Sequence, residues 1–363
     1  MSEPVHRILI IKPSALGDVV HGLPILHALR TVYPHAHIAW MVHPGFADVI
    51  RGHPELDELI EFDRKHFGKC WRSLRSLRDL LRWLRRLRRA RFDLVIDLQG
   101  LLRSGWFAWV TRAPRRYGFL TGREMMWLLG RLFYTNRAPR DPAARHAVER
   151  NYRLAGPLGF AHVPPRFELP IDESARSAAR AARVAAGLDP GAPYAVLAPG
   201  STWPSKRWPA DRFARVIEHL ADAHGLAAVL IGTPGEQPVA AQVASACRVG
   251  VVDLVGRTDL KQAMALLEGA ALVVTNDSGP MHLAAALGRP MVAIFGPTDP
   301  TRTGPFGRPD AVVQAVNDRR HHFRHTDATQ ISAVTVAMAI ESADRQLAVG
   351  PRSPAAPAKV DPA

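Results

Sequence analysis

The chain has 363 residues, 47% of them hydrophobic, which is enough for about two domains with cores of their own and excludes a disordered or collagen-like polymer. Its formal charge is +14, but the excess is uneven: residues 1–163 hold 27 basic and 14 acidic side chains, while the remainder hold 20 and 19. The first half is therefore expected to face something acidic, whether nucleic acid, an anionic membrane surface or a phosphorylated substrate.

Two cysteines far apart in sequence, Cys70 and Cys247, make neither a disulfide framework nor a Cys-based zinc site, and a reducing compartment follows. The first apolar run, Ile8-Leu9-Ile10-Ile11, has no long leader-like core before it, and no run approaches the ~18 apolar residues of a spanning helix. Neither secretion nor membrane crossing is expected.

In chain order, apolar strands alternate with helical stretches, which is the α/β pattern. Strands are expected over 8–12, 38–42 and 94–98, with helices near 19–32, 70–89 and 104–111; Leu59-Ile60 is a shorter apolar run of the same kind. Four prolines in 157–170 mark a boundary, because each removes a backbone donor and restricts the residue before it. The alternation then resumes, with strands over 194–198, 227–231, 251–255, 272–275 and 291–295 and helices ending near 224, 246, 267 and 287. The expected fold is two doubly wound halves, residues 1–163 and 164–348, facing a cleft, followed by a Pro/Ala/Ser-rich disordered tail over 349–363.

Ligands of doubly wound sheets bind beyond the carboxyl ends of the strands, so the chemistry is sought in those loops. The first strand runs into Lys12-Pro13-Ser14-Ala15-Leu16-Gly17-Asp18, which sets Gly17 and Asp18 at a helix start. Asp18 there either caps free N–H groups or accepts a proton from a sugar hydroxyl, and Ser14 is a second capping candidate. No GxGxxG is present, so a dinucleotide fingerprint is not supported.

In the second half, Gly200-Ser201-Thr202 offers close backbone approach and two hydroxyls, and Lys206 offers a point charge for phosphate, unless it is a solvated surface lysine. Glu236 closes the Gly232-Thr233-Pro234-Gly235 turn, where it suits a ribose diol or caps a helix. The strongest local signal is Asp277-Ser278-Gly279-Pro280-Met281-His282, which opens a helix after an apolar strand. A helix N-terminus suits a diphosphate, small Ser278 and Gly279 let it approach, Asp277 suits sugar hydroxyls or a cap, and His282 is a phosphate donor or a packed histidine.

Six segments occur in order over most of the chain: the opening 10–24, Asp97-Leu98-Gln99-Gly100-Leu101, His146-Ala147-Val148-Glu149-Arg150, Lys206-Arg207-Trp208-Pro209, Asp277 to His282, and Phe295-Gly296-Pro297-Thr298-Asp299-Pro300. Together they closely resemble the bacterial lipopolysaccharide heptosyltransferases. That resemblance implies a GT-B glycosyltransferase that takes ADP-heptose as donor, inverts its anomeric centre, and needs neither metal nor cofactor. It implies that Asp18 is the general base, that Ser201, Thr202 and Lys206 form the phosphate loop, and that Glu236 holds the ribose. Asp277 then holds the heptose, with Ser278, Gly279 and His282 around the diphosphate. Ser14, Gly17, Arg103 and Arg123 fall on the acceptor side, towards Kdo-lipid A or the inner core of lipopolysaccharide. The opening leans towards the members that add heptose to Kdo, and the Lys206 loop towards those that add heptose to heptose.

Arginines at 72, 75, 78, 82, 85, 86, 88, 89 and 91, interleaved with Leu74, Leu77, Leu81 and Leu84, read as a basic amphipathic helix. It is either a solvated face or a surface resting on the anionic cytoplasmic side of the inner membrane. Two rivals carry less: a nucleic-acid binder would explain the charge, but the helix lacks stacking aromatics and a known motif; a non-catalytic nucleotide-sugar binder would not need Asp18.

Overall fold

The computed structural model describes residues 4–69, 71–119, 132–138, 144–160, 162–315 and 328–352. The chain divides between Pro170 and Ile171 into two compact units, at the last of the four prolines. The 353–363 part of the expected tail, Cys70 and Arg123 lie outside the described residues.

The first unit is a six-stranded parallel sheet in the order β3-β2-β1-β4-β5-β6. Its strands are β1 (Arg7–Ile11), β2 (His37–Val42), β3 (Glu58–Glu61), β4 (Leu94–Asp97), β5 (Arg115–Phe119) and β6 (Asn136–Ala138). Ile8 to Ile11 have no exposed surface, as expected of a central parallel strand covered on both faces. Leu9, Ile11, Met41 and Val95 form one core with Leu87 and Phe107. Those two come from the helices Leu74–Arg89 and Leu102–Thr111.

The helix expected over 19–32 is two helices, Leu16–Val20 and Leu23–Val32. Pro24 cannot donate to a preceding turn, and a side chain on Gly22 would strike the buried Trp40 ring at 2.8 Å. The strands β5 and β6 have no apolar run to mark them in the sequence, because Arg115-Arg116 and Asn136-Arg137 carry polar residues.

The second unit holds β7 (Tyr194–Ala198), β8 (Ala227–Leu230), β9 (Val251–Asp253), β10 (Leu272–Asn276), β11 (Met291–Phe295) and β12 (Val312–Gln314), all parallel, in the order β12-β11-β10-β7-β8-β9. Taken from its own first strand, this is the same 3-2-1-4-5-6 order as the first unit, the doubly wound Rossmann arrangement. Leu197, Val274 and Ile294 pack with Phe213 and Ile217 of the helix Ala210–His224 and with Ala339 and Ala343 of the helix Val336–Val349. Among the described residues no helix is long and apolar enough to cross a membrane.

Candidate active site

In this strand order the chain reverses direction between the first and fourth strands of each sheet, and the loops that diverge there leave a crevice at the carboxyl edge. The first unit's switch point lies between β1 and β4, the second's between β7 and β10. Most of the residues singled out from sequence lie on the loops after those four strands.

At the first switch point, Asp18 is the third residue of the Leu16–Val20 helix and accepts from the Ala15 N–H at 3.1 Å through Oδ2. The capping role is thus present in the structure. Its Oδ1 faces the Lys12 ammonium at 3.5 Å, and 40% of the Asp18 side chain remains exposed. Lys12 is 6% exposed and donates to the Leu98 carbonyl oxygen at 2.8 Å, which ties the loop after β1 to the loop after β4. A second tie runs from the Ser14 N–H to Gln99 Oε1 at 3.3 Å, and Gly17 is buried beneath.

The loop after β4 is itself held by Asp97, which is wholly buried. Its Oδ1 accepts from the N–H groups of Gln99 and Gly100, and its Oδ2 from the Tyr134 hydroxyl at 2.6 Å. Burial pushes the Asp97 carboxyl above the usual range against these bonds. Arg103 follows on an exposed turn of the Leu102–Thr111 helix, where partial burial and then the charge of nearby Arg64 lower its guanidinium. The segment 146–150 buttresses this region: its helix, Ala147–Ala155, carries Asn151, which donates to the His21 carbonyl oxygen at 3.0 Å.

At the second switch point, Lys206 donates to Asp277 Oδ2 at 2.6 Å, and the two side chains are 16% and 5% exposed. The Thr298 hydroxyl donates to the same oxygen. Asn276 laces the loops from beneath, donating to the Pro199 carbonyl oxygen at 2.7 Å and accepting from the Trp208 N–H at 3.2 Å. Ser278 is the N-cap of the helix Gly279–Ala286, so that helix starts beside the Lys206–Asp277 pair; Pro280 has no N–H and the Met281 N–H is taken by the Ser278 carbonyl oxygen at 3.2 Å, which leaves the Gly279 N–H. His282 lies within it, 9% exposed.

Ser201 is buried, with its carbonyl oxygen taken by Arg207 Nε at 2.7 Å, and Thr202 is exposed. Glu236 accepts from the Thr233 N–H and hydroxyl through Oε2 at 2.7 and 2.9 Å. A side-chain carbon on Gly200 would fall 2.1 Å from Glu236 Oε1, so any larger residue there would push that carboxylate aside. The loops after β7, β8 and β10 thus bring Gly200, Ser201, Lys206, Glu236, Asp277 and the helix N-terminus to one edge of one sheet.

Sequence reasoning gave no role to Lys12, Asp97, Gln99, Asn276 or Thr298. Each lies inside or beside a segment that had been noticed, but the polar ties that position a loop leave no spacing pattern of their own.

Residues 80–332 match the model of glycosyltransferase family 9 (heptosyltransferase). The chain belongs to glycosyltransferase family 9. Lipopolysaccharide heptosyltransferase 1 of Pseudomonas aeruginosa is 34% identical to it, over 83% of this chain and 82% of that protein. The crystal structure of a family 9 glycosyltransferase from Veillonella parvula superposes with a TM-score of 0.82 at 26% identity, covering 96% of this chain and 99% of that one. The Escherichia coli heptosyltransferase WaaC with ADP gives 0.71 at 27% identity, covering 94% and 99%. This family 9 protein is therefore a glycosyltransferase, and its two Rossmann-like units are those of the GT-B fold.

Proposed function

We propose that the chain transfers L-glycero-D-manno-heptose from ADP-heptose to the Kdo of the lipopolysaccharide inner core, with inversion at the anomeric carbon. Asp18 takes the proton of the acceptor hydroxyl as its oxygen bonds to the heptose C1, while the bond from C1 to the diphosphate oxygen breaks and ADP leaves with the electron pair. Lys206, the Gly279 N–H and the positive end of the Gly279–Ala286 helix meet the charge that develops on ADP, so no metal is required. Glu236 Oε1 takes the ribose diol. Asp277, steadied by Lys206 and Thr298, holds heptose hydroxyls with Ser278, Gly279 and His282 around the diphosphate and Ser201 and Thr202 beside it. The acceptor belongs to the first unit, where Ser14, Gly17 and Arg103, with Arg123, meet its carboxylate and phosphate groups.

The observation that carries this reading is Asp18: one oxygen is fixed by a backbone N–H and the other faces a lysine, on a side chain still open to solvent at the switch point. The reading also places the enzyme at the anionic cytoplasmic face of the inner membrane. On the Leu74–Arg89 helix, exposed Leu74, Leu77 and Leu81 run beside exposed Arg75, Arg78, Arg82 and Arg85, and Trp71 just before it is 92% exposed. An apolar stripe flanked by arginines suits a charged membrane interface better than open water.

The deciding experiment offers ADP-heptose with Kdo-lipid A, with heptosyl-Kdo-lipid A, or with an unrelated acceptor, and measures ADP release. Release dependent on Kdo-lipid A supports the assignment. Release only with the heptosylated acceptor makes the protein a second heptosyltransferase, and none with either overturns the substrate.

A further inference from the structure

We infer that Arg7, Arg82, Arg85, Arg86 and Arg89 form a second, non-catalytic site that binds a phosphate group at the amino-terminal edge of the first sheet. They line one pocket of about 680 Å³ together with Glu58 and Ala90. Arg7 opens β1 and Glu58 opens β3, so the pocket lies at the end of the sheet opposite the switch point. A five-residue strand rises roughly 16 Å, and Asp18 follows its far end. A ligand held here is not the reacting acceptor.

Five guanidiniums face one carboxylate, and that carboxylate is already engaged. Glu58 Oε1 accepts from Arg86 at 2.8 Å, while Oε2 meets His37 at 3.1 Å and Arg7 at 3.7 Å. Burial pulls Glu58 upward, but the bonds from His37 and Arg86 outweigh it and hold the carboxyl below its usual range. Arg82 has only a 3.4 Å contact to Asp79, and the Arg85 and Arg89 guanidiniums make no hydrogen bond or ion pair among the described residues. The Arg7 Nε is buried without a partner.

Arginines in the last turn of a helix are favoured by its dipole, which accounts for Arg86 and Arg89. The dipole amounts to about half a charge, however, and does not explain why Arg85 and Arg89, which have no carboxylate partner among the described residues, stand beside three more guanidiniums that share only Glu58 and Asp79. Planar guanidinium forks match phosphate oxygens, and several around one concavity favour a phosphate over a carboxylate. The phosphate's source is either a lipid headgroup or a free anion. Only the lipid source rests on the membrane position proposed above.

The test uses the full-length protein and two double variants. Arg85→Gln with Arg89→Gln alters the pocket. Arg75→Gln with Arg78→Gln removes equal charge from the same helix outside it. Glutamine is a good helix former, and these side chains are exposed, so both proteins are expected to fold. Sedimentation is measured with phosphatidylcholine vesicles carrying phosphatidic acid, or carrying fatty acid at equal surface charge, and inorganic phosphate is titrated separately by calorimetry.

The expected result is a preference for phosphatidic acid that falls at least about tenfold in the pocket variant, the factor for losing one of its two charge-assisted bonds. The control pair weakens binding to both charged vesicles alike and so leaves the preference unchanged, and turnover of a soluble acceptor is unchanged in both. Phosphate binding lost in the pocket variant, with no vesicle preference, keeps the site and assigns it to the free anion. Equal losses of the preference or of phosphate binding in both variants, equal binding to the two charged vesicles with no phosphate binding, or an unaffected pocket variant overturns it. If no vesicle binds, the membrane position fails while the phosphate titration still decides the pocket.

Discussion

The Lys12 ammonium stands 3.5 Å from Asp18 Oδ1 while donating to the Leu98 carbonyl oxygen at 2.8 Å, so one buried lysine joins the proposed base to the neighbouring strand's loop. A lysine anchored at both ends fixes where the carboxylate sits, which a surface lysine cannot do. Lys12→Met keeps the unbranched stem, one atom shorter, but leaves the Leu98 carbonyl without its donor, at a cost of about 1–3 kcal/mol. Turnover is expected to fall with ADP affinity unchanged. A variant as active as the natural protein would show that Asp18 does not depend on this contact.

Asp18→Asn is expected to lower turnover by roughly 10²–10⁴-fold, the contribution of a general base, with donor affinity preserved. The asparagine oxygen can still accept from the Ala15 N–H, so little stability is lost. If denaturant unfolding shows a large destabilisation and turnover falls only in proportion to the unfolded fraction, Asp18 is a cap and nothing more.

For Lys206 the pairing with Asp277 complicates a simple deletion. Lys206→Ala is expected to raise the dissociation constants for ADP and ADP-heptose together, but it also strands a carboxylate that is 5% exposed, and breaking a buried pair costs about 3–5 kcal/mol. Adding Asp277→Asn removes the stranded charge and restores much of the lost stability without restoring ADP affinity. Calorimetry that finds ADP binding unchanged in the single variant would remove Lys206 from the phosphate site.

The central strands and the loops bearing Asp18, Lys206 and Asp277 were legible because apolar runs of period-independent burial and strand-to-helix turns leave local marks. Strands β5, β6 and β12 were not. Arg115-Arg116 in β5 and Asn136-Arg137 in β6 carry polar residues, and β12 is three residues long, so their place comes from pairing with a neighbour rather than from their own composition. The site shows the same division. Asp277 could be read from a motif, but its pairing with Lys206 joins residues 71 apart, and the Tyr134 hydroxyl reaches Asp97 across 37. Such contacts exist only once the strand order is set.

A pH-dependent contribution to stability is expected from Glu218, which is 4% exposed on the Ala210–His224 helix. The side-chain and backbone hydrogen bonds from Arg248 come first in pulling its carboxyl from 4.5 down to about 2, with Arg215 adding to them. Because the folded value is the lower one, the stabilisation is fully present above the ordinary carboxylate range and is lost as pH falls through about 2. Glu218→Gln is therefore expected to unfold at lower urea than the natural protein at pH 7, with the gap narrowing between pH 4.5 and 2. A gap that stays constant with pH would mean that packing, not charge, accounts for the difference.

Arg103 separates a fixed substrate contact from diffuse attraction. It is exposed beyond the carboxyl end of β4, near enough to Arg64 for the two charges to repel, and such a pair is relieved when an anion binds between or beside them. One charge among the 27 basic residues of the first 163 matters little to a diffuse field, but one guanidinium against a fixed carboxylate or phosphate is worth about 1.5–3 kcal/mol. Arg103→Ala is accordingly expected to raise the acceptor's Michaelis constant by about 10–100-fold, with vesicle binding and the Michaelis constant for ADP-heptose almost unchanged. Arg103→Lys keeps the charge but not the bidentate fork and is expected to recover only part of the loss. Acceptor kinetics on the two variants decide the matter: unchanged constants in both would exclude Arg103 as an acceptor ligand, and full recovery by lysine would reduce its role to a point charge.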